Sequence, residues 1–357
     1  MVGIALSALG LGLAVYGILK SSEWGWVEPR GALTVAGTEI TPFGFSVVPF
    51  LILAGLGCLA AFATWEERRE RDGRDTLLDG SLLKIVSLRA GLATLTMQQL
   101  ILLGTFFVLP VYLQVVLGLD AFETGKRLFP MSVTMFAAAM VGPRLAVGIA
   151  PKRVAQAGLV ALVVASIFLL GTIDVELHEA GFAVALAVFG IGAGLLLSQL
   201  GNVIMSSVDP AKINEAGGLQ GTAQNLGASL GTALIGSVLI AALTSGLISR
   251  VQENPAVPAP VRAEVAKIAE KGIPVVPVHD VERAAIDHKV PPEQAKALAD
   301  DYGDAQLAGL KRAVGAIAVI ALLSLWFTRR LPARPLQEPS PADLEKNESR
   351  VATSPSA

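Results

Sequence analysis

The sequence holds one cysteine, Cys58, and three histidines, His178, His279 and His288. A single cysteine excludes an internal disulfide and any cysteine-based metal cluster. It lies inside an apolar run, where a small buried residue is the expected role. The histidines fall in loops, and none stands at metal-ligand spacing to another His or Cys, so neither a metal nor a cofactor is expected. There is no Gly-rich phosphate loop ending in Lys-Ser/Thr, so ATP hydrolysis is not expected to drive anything here. Nor is a Ser-His-Asp, Cys-His or other convergent acid–base set readable, and an enzyme is not expected.

Charge is scarce as well. Asp, Glu, Lys and Arg make up 16% of the chain, well under the usual quarter of a soluble protein. The basic residues are scattered over loops instead of gathered in a stripe, which argues against nucleic acid as a partner. No basic stretch precedes the first apolar run, so a cleavable signal peptide is not expected.

Apolar residues fill the space left by charge: 53% of the chain, with a mean hydropathy of +0.60. They gather in runs near residues 2–20, 43–64, 90–117, 128–149, 154–173, 181–207, 217–245 and 311–328. Each approaches or exceeds the roughly 20 residues that cross a bilayer core as a helix. The expected fold is therefore an all-α integral membrane protein of about eight transmembrane helices, with the lipid bilayer as its first partner. Arg144, Lys311 and Arg312 stand near run ends, where long cationic side chains reach the interface. Pro49, Pro110 and Pro143 lie within runs, which is tolerated where neighbours satisfy the freed carbonyls.

The runs divide the chain. Residues 1–64 hold two transmembrane helices, 65–89 a basic loop, 90–245 five more helices, and 246–310 an external loop. Residues 311–330 form the last transmembrane helix and 331–357 a tail rich in Pro, Ser and Glu, expected to be disordered. The external loop reads as short helices over Val261 to Lys271, Val281 to His288 and from Pro292 onward. It is either a solvated cap or a lid that gates substrate or binds a partner. Arg68, Arg69, Arg71, Arg74, Lys84, Arg89, Arg144, Lys152, Arg153 and Lys212 fall on one side of the membrane. Lys20, Arg30, Lys126 and Arg127 fall on the other. The richer side is expected to be cytoplasmic. That places both termini in the cytoplasm, and a cytoplasmic tail would not present the sequon Asn347-Glu348-Ser349 to a glycosylation machinery.

Polar side chains inside the runs carry the functional signal, because lipid penalises them unless they pair or face a cavity. Gln98 and Gln99 lie in the third run, with Gln114 later in it. Ser198, Gln199, Asn202 and Ser206 share one face of the sixth. Gln220, Gln224 and Asn225 follow in the seventh. A neutral amide can bind a varied organic substrate without fixing its charge, or can tie one helix to another. Gln199, Asn202 and Gln224 are the leading cavity candidates. The seventh run is also rich in small residues, with Gly217/Gly221 and Gly227/Gly231 as two GxxxG pairs for close helix packing. No Asp or Glu stands in the middle of any run. Proton coupling needs a titratable group in the pathway, so such a group would have to lie elsewhere.

The stretch Gly190 to Ser237, with GIGAGLLLSQLGN and NEAGGLQGTAQNLGASLG, resembles the late helices of the major facilitator superfamily, in its fourteen-helix drug:proton antiporter branch. Phe107 to Gln114 followed by Gly118 is similar to the ninth helix of that branch, and Thr124-Gly125 through Phe129-Pro130 to the entry into the tenth. Pro143-Arg144 to Lys152-Arg153 sits where the second half carries a degenerate basic loop motif, here without its usual acidic residue. The resemblance implies that the eight runs correspond to helices seven to fourteen: two linker helices plus the six-helix C-terminal lobe. It further implies a secondary transporter that exports drugs or small organic metabolites from the bacterial cytoplasm against protons. The N-terminal lobe, with the antiporter motif and the membrane carboxylates, would come from outside this chain or from a second chain. A half-transporter acting as a dimer and a non-transporting membrane scaffold are the alternatives.

Overall fold

A computed structural model describes residues 2–27, 29, 33–35, 38–72, 80–270 and 273–331. The tail from residue 332, with its sequon, lies outside the described residues, as do Arg30, Arg74 and Lys271. Eight described helices are long and apolar enough to cross a membrane. A bilayer core offers backbone groups no water, so each crossing segment must satisfy its own N–H and C=O groups, and the helix does so locally.

The chain begins with α1 (Val2–Trp24) and a short antiparallel hairpin, β1 (Leu33–Val35) with β2 (Thr38–Ile40). Then come α2 (Val47–Arg71), α3 (Val86–Pro110), α4 (Ala121–Gly148), α5 (Pro151–Thr172) and α6 (Glu179–Met205). The long α7 (Ile213–Glu253) follows, then the short α8 (Ala259–Glu270) and α9 (Val278–Asp287), and α10 (Pro292–Phe327) closes the described chain. Several helices outrun their apolar stretches. α2 takes in the basic residues through Arg71, and α7 and α10 continue into the segment between them. Once a helix is nucleated in the membrane, each further turn costs little. Glu and Arg are good helix formers, and Glu67 and Arg71 add an exposed i,i+4 pair at 3.9 Å. Lys126 and Arg127 likewise sit in the opening turns of α4, whose N-cap Asp120 accepts from the Glu123 N–H at 2.7 Å.

Packing is organised by small residues. A Cβ added to Gly227 would strike the Thr96 carbonyl, and one on Gly231 the Leu100 carbonyl. The matched order shows that α3 and α7 run parallel. Gly190 and Gly194 press on Met131 and Met135 in the same way, so α4 and α6 are also parallel. By contrast, Gly158 and Gly192 meet across antiparallel α5 and α6, and Gly246 meets Ala305 across antiparallel α7 and α10. Gly10, Ala14 and Gly55 join α1 to α2. α1 also lies on α7, and the Trp26 indole N–H donates to the Ser237 hydroxyl at 2.9 Å.

Two apolar cores result. The larger joins α3, α5, α6, α7 and α10 within the membrane, around Ile101, Leu109, Leu159, Phe182, Phe189 and Ile317. The smaller joins the ends of α7 and α10 to α8, α9 and the strap between them, around Leu247, Val251, Val257, Tyr302 and Ala305. The segment between residues 246 and 310 is thus a folded cap on two continuous helices. Its strap is fixed by Tyr302, whose hydroxyl donates to the Pro274 carbonyl at 2.9 Å and accepts from the Val276 N–H at 3.0 Å.

Candidate functional site

The amides divide into two groups. Gln98 and Gln199 are buried. The Gln98 Nε2 donates to the Ala193 carbonyl at 3.4 Å, linking α3 to α6. The Gln199 Nε2 donates to the Gly142 carbonyl at 2.9 Å and to the Ser198 hydroxyl at 3.1 Å, linking α6 to α4. Gly142 leaves room for this link, since a Cβ there would collide with the Ser198 hydroxyl. In both glutamines the Oε1 is buried without a partner among the described residues. These two amides tie helices together.

The second group is less covered, though Gln99 lies against Gly227 of α7 and the Gln220 Oε1 is buried without a partner among the described residues. Asn202 and Asn225 are exposed, while Gln99, Gln220 and Gln224 are half-buried. On α7, Asn214, Gly218, Gly221, Asn225, Ala228 and Thr232 recur at helical spacing and are each exposed or half-buried. This stripe is small, polar and uncharged. Its side chains turn inward on their own helix: the Asn225 Nδ2 donates to the Gly221 carbonyl and the Thr222 hydroxyl to the Gly218 carbonyl, both at 3.0 Å. A Cβ at Gly218 or Gly221 would meet nothing within 4 Å, and one at Gly217 would meet only the Met205 methyl at 3.9 Å. On α6, Val184, Ile191, Asn202 and Ser206 are exposed, apolar at one end and polar at the other, while Leu195 and Ser198 between them pack on α5 and α4. On α3 the corresponding line passes through Gln99, Leu103, Phe106, Pro110 and Gln114.

Sequence reasoning passed over several other features. Phe122, Phe129 and Phe136 stand seven residues apart on α4 and are 74%, 65% and 68% exposed, which sets an aromatic stripe on that helix. Their heptad spacing was the available signal. α4 packs mainly on α6, so most of its surface has no cover from this chain. Beyond Pro110, which has no N–H to give, the helix widens into a π-helical stretch from Val111 to Val116. That stretch carries Tyr112 to the loop between α5 and α6. There its hydroxyl donates to the Asp174 carbonyl at 2.7 Å and accepts from the Asp174 N–H at 3.1 Å. Nearby, Arg127 pairs with Glu179 at 2.9 Å, joining the starts of α4 and α6.

Known proteins share this sequence pattern. The probable actinorhodin transporter of Streptomyces coelicolor is 27% identical over 257 residues, 71% of this chain and 41% of that protein. The tetracenomycin C resistance and export protein of Streptomyces glaucescens is 25% identical over 340 residues, 92% of this chain and 56% of that protein. The multidrug resistance protein Stp of Mycobacterium tuberculosis is 27% identical over 334 residues, with the same two shares, 92% and 56%. The chain thus spans about half the length of the curated relatives it matches. The family model described as the Major Facilitator Superfamily matches residues 1–232, well over half of the sequence. With its eight apolar helices and these relatives, the chain belongs to the major facilitator superfamily.

Proposed function

We propose that this chain forms two linker helices and the C-terminal lobe of a drug or metabolite exporter of the fourteen-helix branch. α1 and α2 are the linker pair, and α3 to α7 with the membrane part of α10 are the lobe. The uncovered polar stripe on α7, from Asn214 to Thr232, carries the reading. In contact with lipid, Asn225 and its neighbours would be unfavourable; against a water-filled cavity they are not. A second lobe, from a longer form of the polypeptide or from another chain, closes the cavity, with the substrate near the midplane between the two. Asn202, Gln224 and Asn225 contact the substrate, and Gln99 and Gln220 border it. Export is driven by protons titrating on the other lobe, because the runs of this one hold no carboxylate in their middle. Both termini face the cytoplasm of a bacterial cell. The relatives' roles in resistance and export support a small organic substrate moving outward.

The test uses the native locus with all upstream coding sequence intact and a tag at the C-terminus. Product mass and ethidium efflux are measured together. A product larger by roughly 150–200 residues, enough for six helices and their loops, with protonophore-sensitive efflux, is the expected result. Efflux from a product of about 37 kDa would move the reading to a half-transporter that pairs with a second half. A stable, membrane-inserted product with no efflux of any tested cationic dye or antibiotic would leave a scaffold and remove the transporter reading.

A further inference from the structure

At the basic end of the bundle, the start of α3 and the end of α10 enclose a pocket of about 230 Å³ lined by Val86, Arg89, Ala90, Ala93, Trp326, Phe327 and Arg330. We propose that this pocket holds the head group of an anionic phospholipid. Four observations support that occupant.

First, the lining is mostly apolar, and its two charged members are the exposed Arg89 and Arg330. Among the described residues, no carboxylate lies within 4.0 Å of Arg89 or Arg330. Second, the basic turn is held in place. The Lys152 Nζ donates to the Arg329 carbonyl at 2.8 Å, and the Gln156 amide donates to the Thr328 hydroxyl at 3.3 Å. Arg329 itself stacks over the Trp326 ring at 4.3 Å. Arg330 is therefore presented on a turn braced against α5. Third, Trp326 is 65% exposed beside these cations. An indole next to guanidinium groups at a span end matches the amphipathic surroundings of the head-group layer. Fourth, an uncovered apolar stripe leaves the pocket along α10. Val319, Leu322, Leu323 and Trp326 share one helix face and are all exposed. The pocket volume suits a phosphoglycerol group, and the stripe gives the acyl chains a path into the bilayer. The phosphate accepts from Arg89 and Arg330, a bidentate geometry that guanidinium suits better than ammonium.

A soluble phosphate ester would satisfy the same two arginines but would make no use of the stripe. The experiment therefore uses the full chain in detergent with three probes: phosphatidylglycerol, phosphatidylcholine and inorganic phosphate. Native mass spectrometry reads retained lipid, and hydrogen exchange reads protection over residues 86–93 and 326–330. Each basic group near an anionic head group contributes about a factor of five in affinity. Roughly twentyfold to thirtyfold enrichment of phosphatidylglycerol over phosphatidylcholine is thus expected, falling as salt is raised. Arg89→Gln with Arg330→Gln should abolish the enrichment, and so should Ala93→Trp, which fills the pocket with the arginines intact. Equal retention of both lipids overturns the proposal, as does enrichment that survives both changes. Protection by inorganic phosphate equal to that by phosphatidylglycerol assigns the site to a soluble anion instead. Should the variants not fold, the exchange data on the unaltered chain decide: no added protection over these two segments overturns the proposal.

Discussion

The Tyr112 hydroxyl and the backbone of Asp174 form a closed pair, the hydroxyl donating to the carbonyl at 2.7 Å and accepting from the N–H at 3.1 Å. One side chain thereby fixes the end of α3 to the turn between α5 and α6. Tyr112→Phe should keep the ring's packing against Phe182 but strand the Asp174 groups. The expected loss is about 1–3 kcal/mol, read as a lower unfolding midpoint in detergent. A midpoint equal to that of the parent would show that water replaces the hydroxyl at no cost.

The two GxxxG pairs of α7 should respond differently. Gly231→Val drives a branched side chain into the Leu100 backbone. It should separate α3 from α7, with a loss of about 1–3 kcal/mol or outright failure to insert. Gly221→Ala enters open space within this chain and should leave its stability within about 0.5 kcal/mol of the parent. In the complete transporter the same change narrows the proposed cavity, so altered efflux with unaltered stability is the expected signature. Loss of stability at Gly221 would mean that another element packs there.

Amide substitutions separate ties from cavity walls. Gln199→Leu removes the link to the Gly142 carbonyl but also removes a buried Oε1 that has no partner among the described residues. The two effects oppose each other, and the net change should be small, about 1 kcal/mol in either direction. Asn225→Ala and Asn202→Ala touch exposed positions and should leave the thermal midpoint unchanged while shifting the resistance profile among substrates. A uniform loss of export for every substrate, with a lowered midpoint, would place them among the packing residues.

The α1–α2 pair is tied to α7 by Trp26. Trp26→Phe deletes the donor to Ser237, and limited proteolysis should then cut between α1 and α2 faster, by roughly fivefold for a bond worth about 1 kcal/mol. An unchanged rate would mean that the packing of α1 on α7 suffices alone.

The membrane helices were legible because hydropathy and length are summed over about 20 residues, and no local detail upsets such a sum. Their ends were less so. The apolar count stops where lipid stops, yet α7 runs on to Glu253, since a helix in water needs only good formers and a packed face; the start at Pro292, marked by its proline, was readable, but not that it opens one continuous α10. The cap's core was hidden for the same reason: Leu247, Val251 and Tyr302 follow soluble spacing just outside the apolar windows. The amides expose a different limit. Gln98 and Gln99 are neighbours with the same chemistry, but one helical step turns the first into α6 and sets the second, half-buried, beside Gly227 of α7. Which way a helix is rotated is decided by its partners, and the small residues that choose those partners are also scattered where nothing packs, as at Gly221.

α7 is one uninterrupted rod from the membrane into the cap, without a proline in its 41 residues. It is gripped by α3 at Gly227 and Gly231. From Gly231 to Glu253 the rod extends about 33 Å at roughly 1.5 Å per residue. Tilting it by about 10° at the grip would sweep its far end through roughly 6 Å, carrying α8 and α9 along. Since α10 packs on α7 along the same length, the two would have to move together, and a label on α8 would report from the cap any tilt made deep in the bilayer.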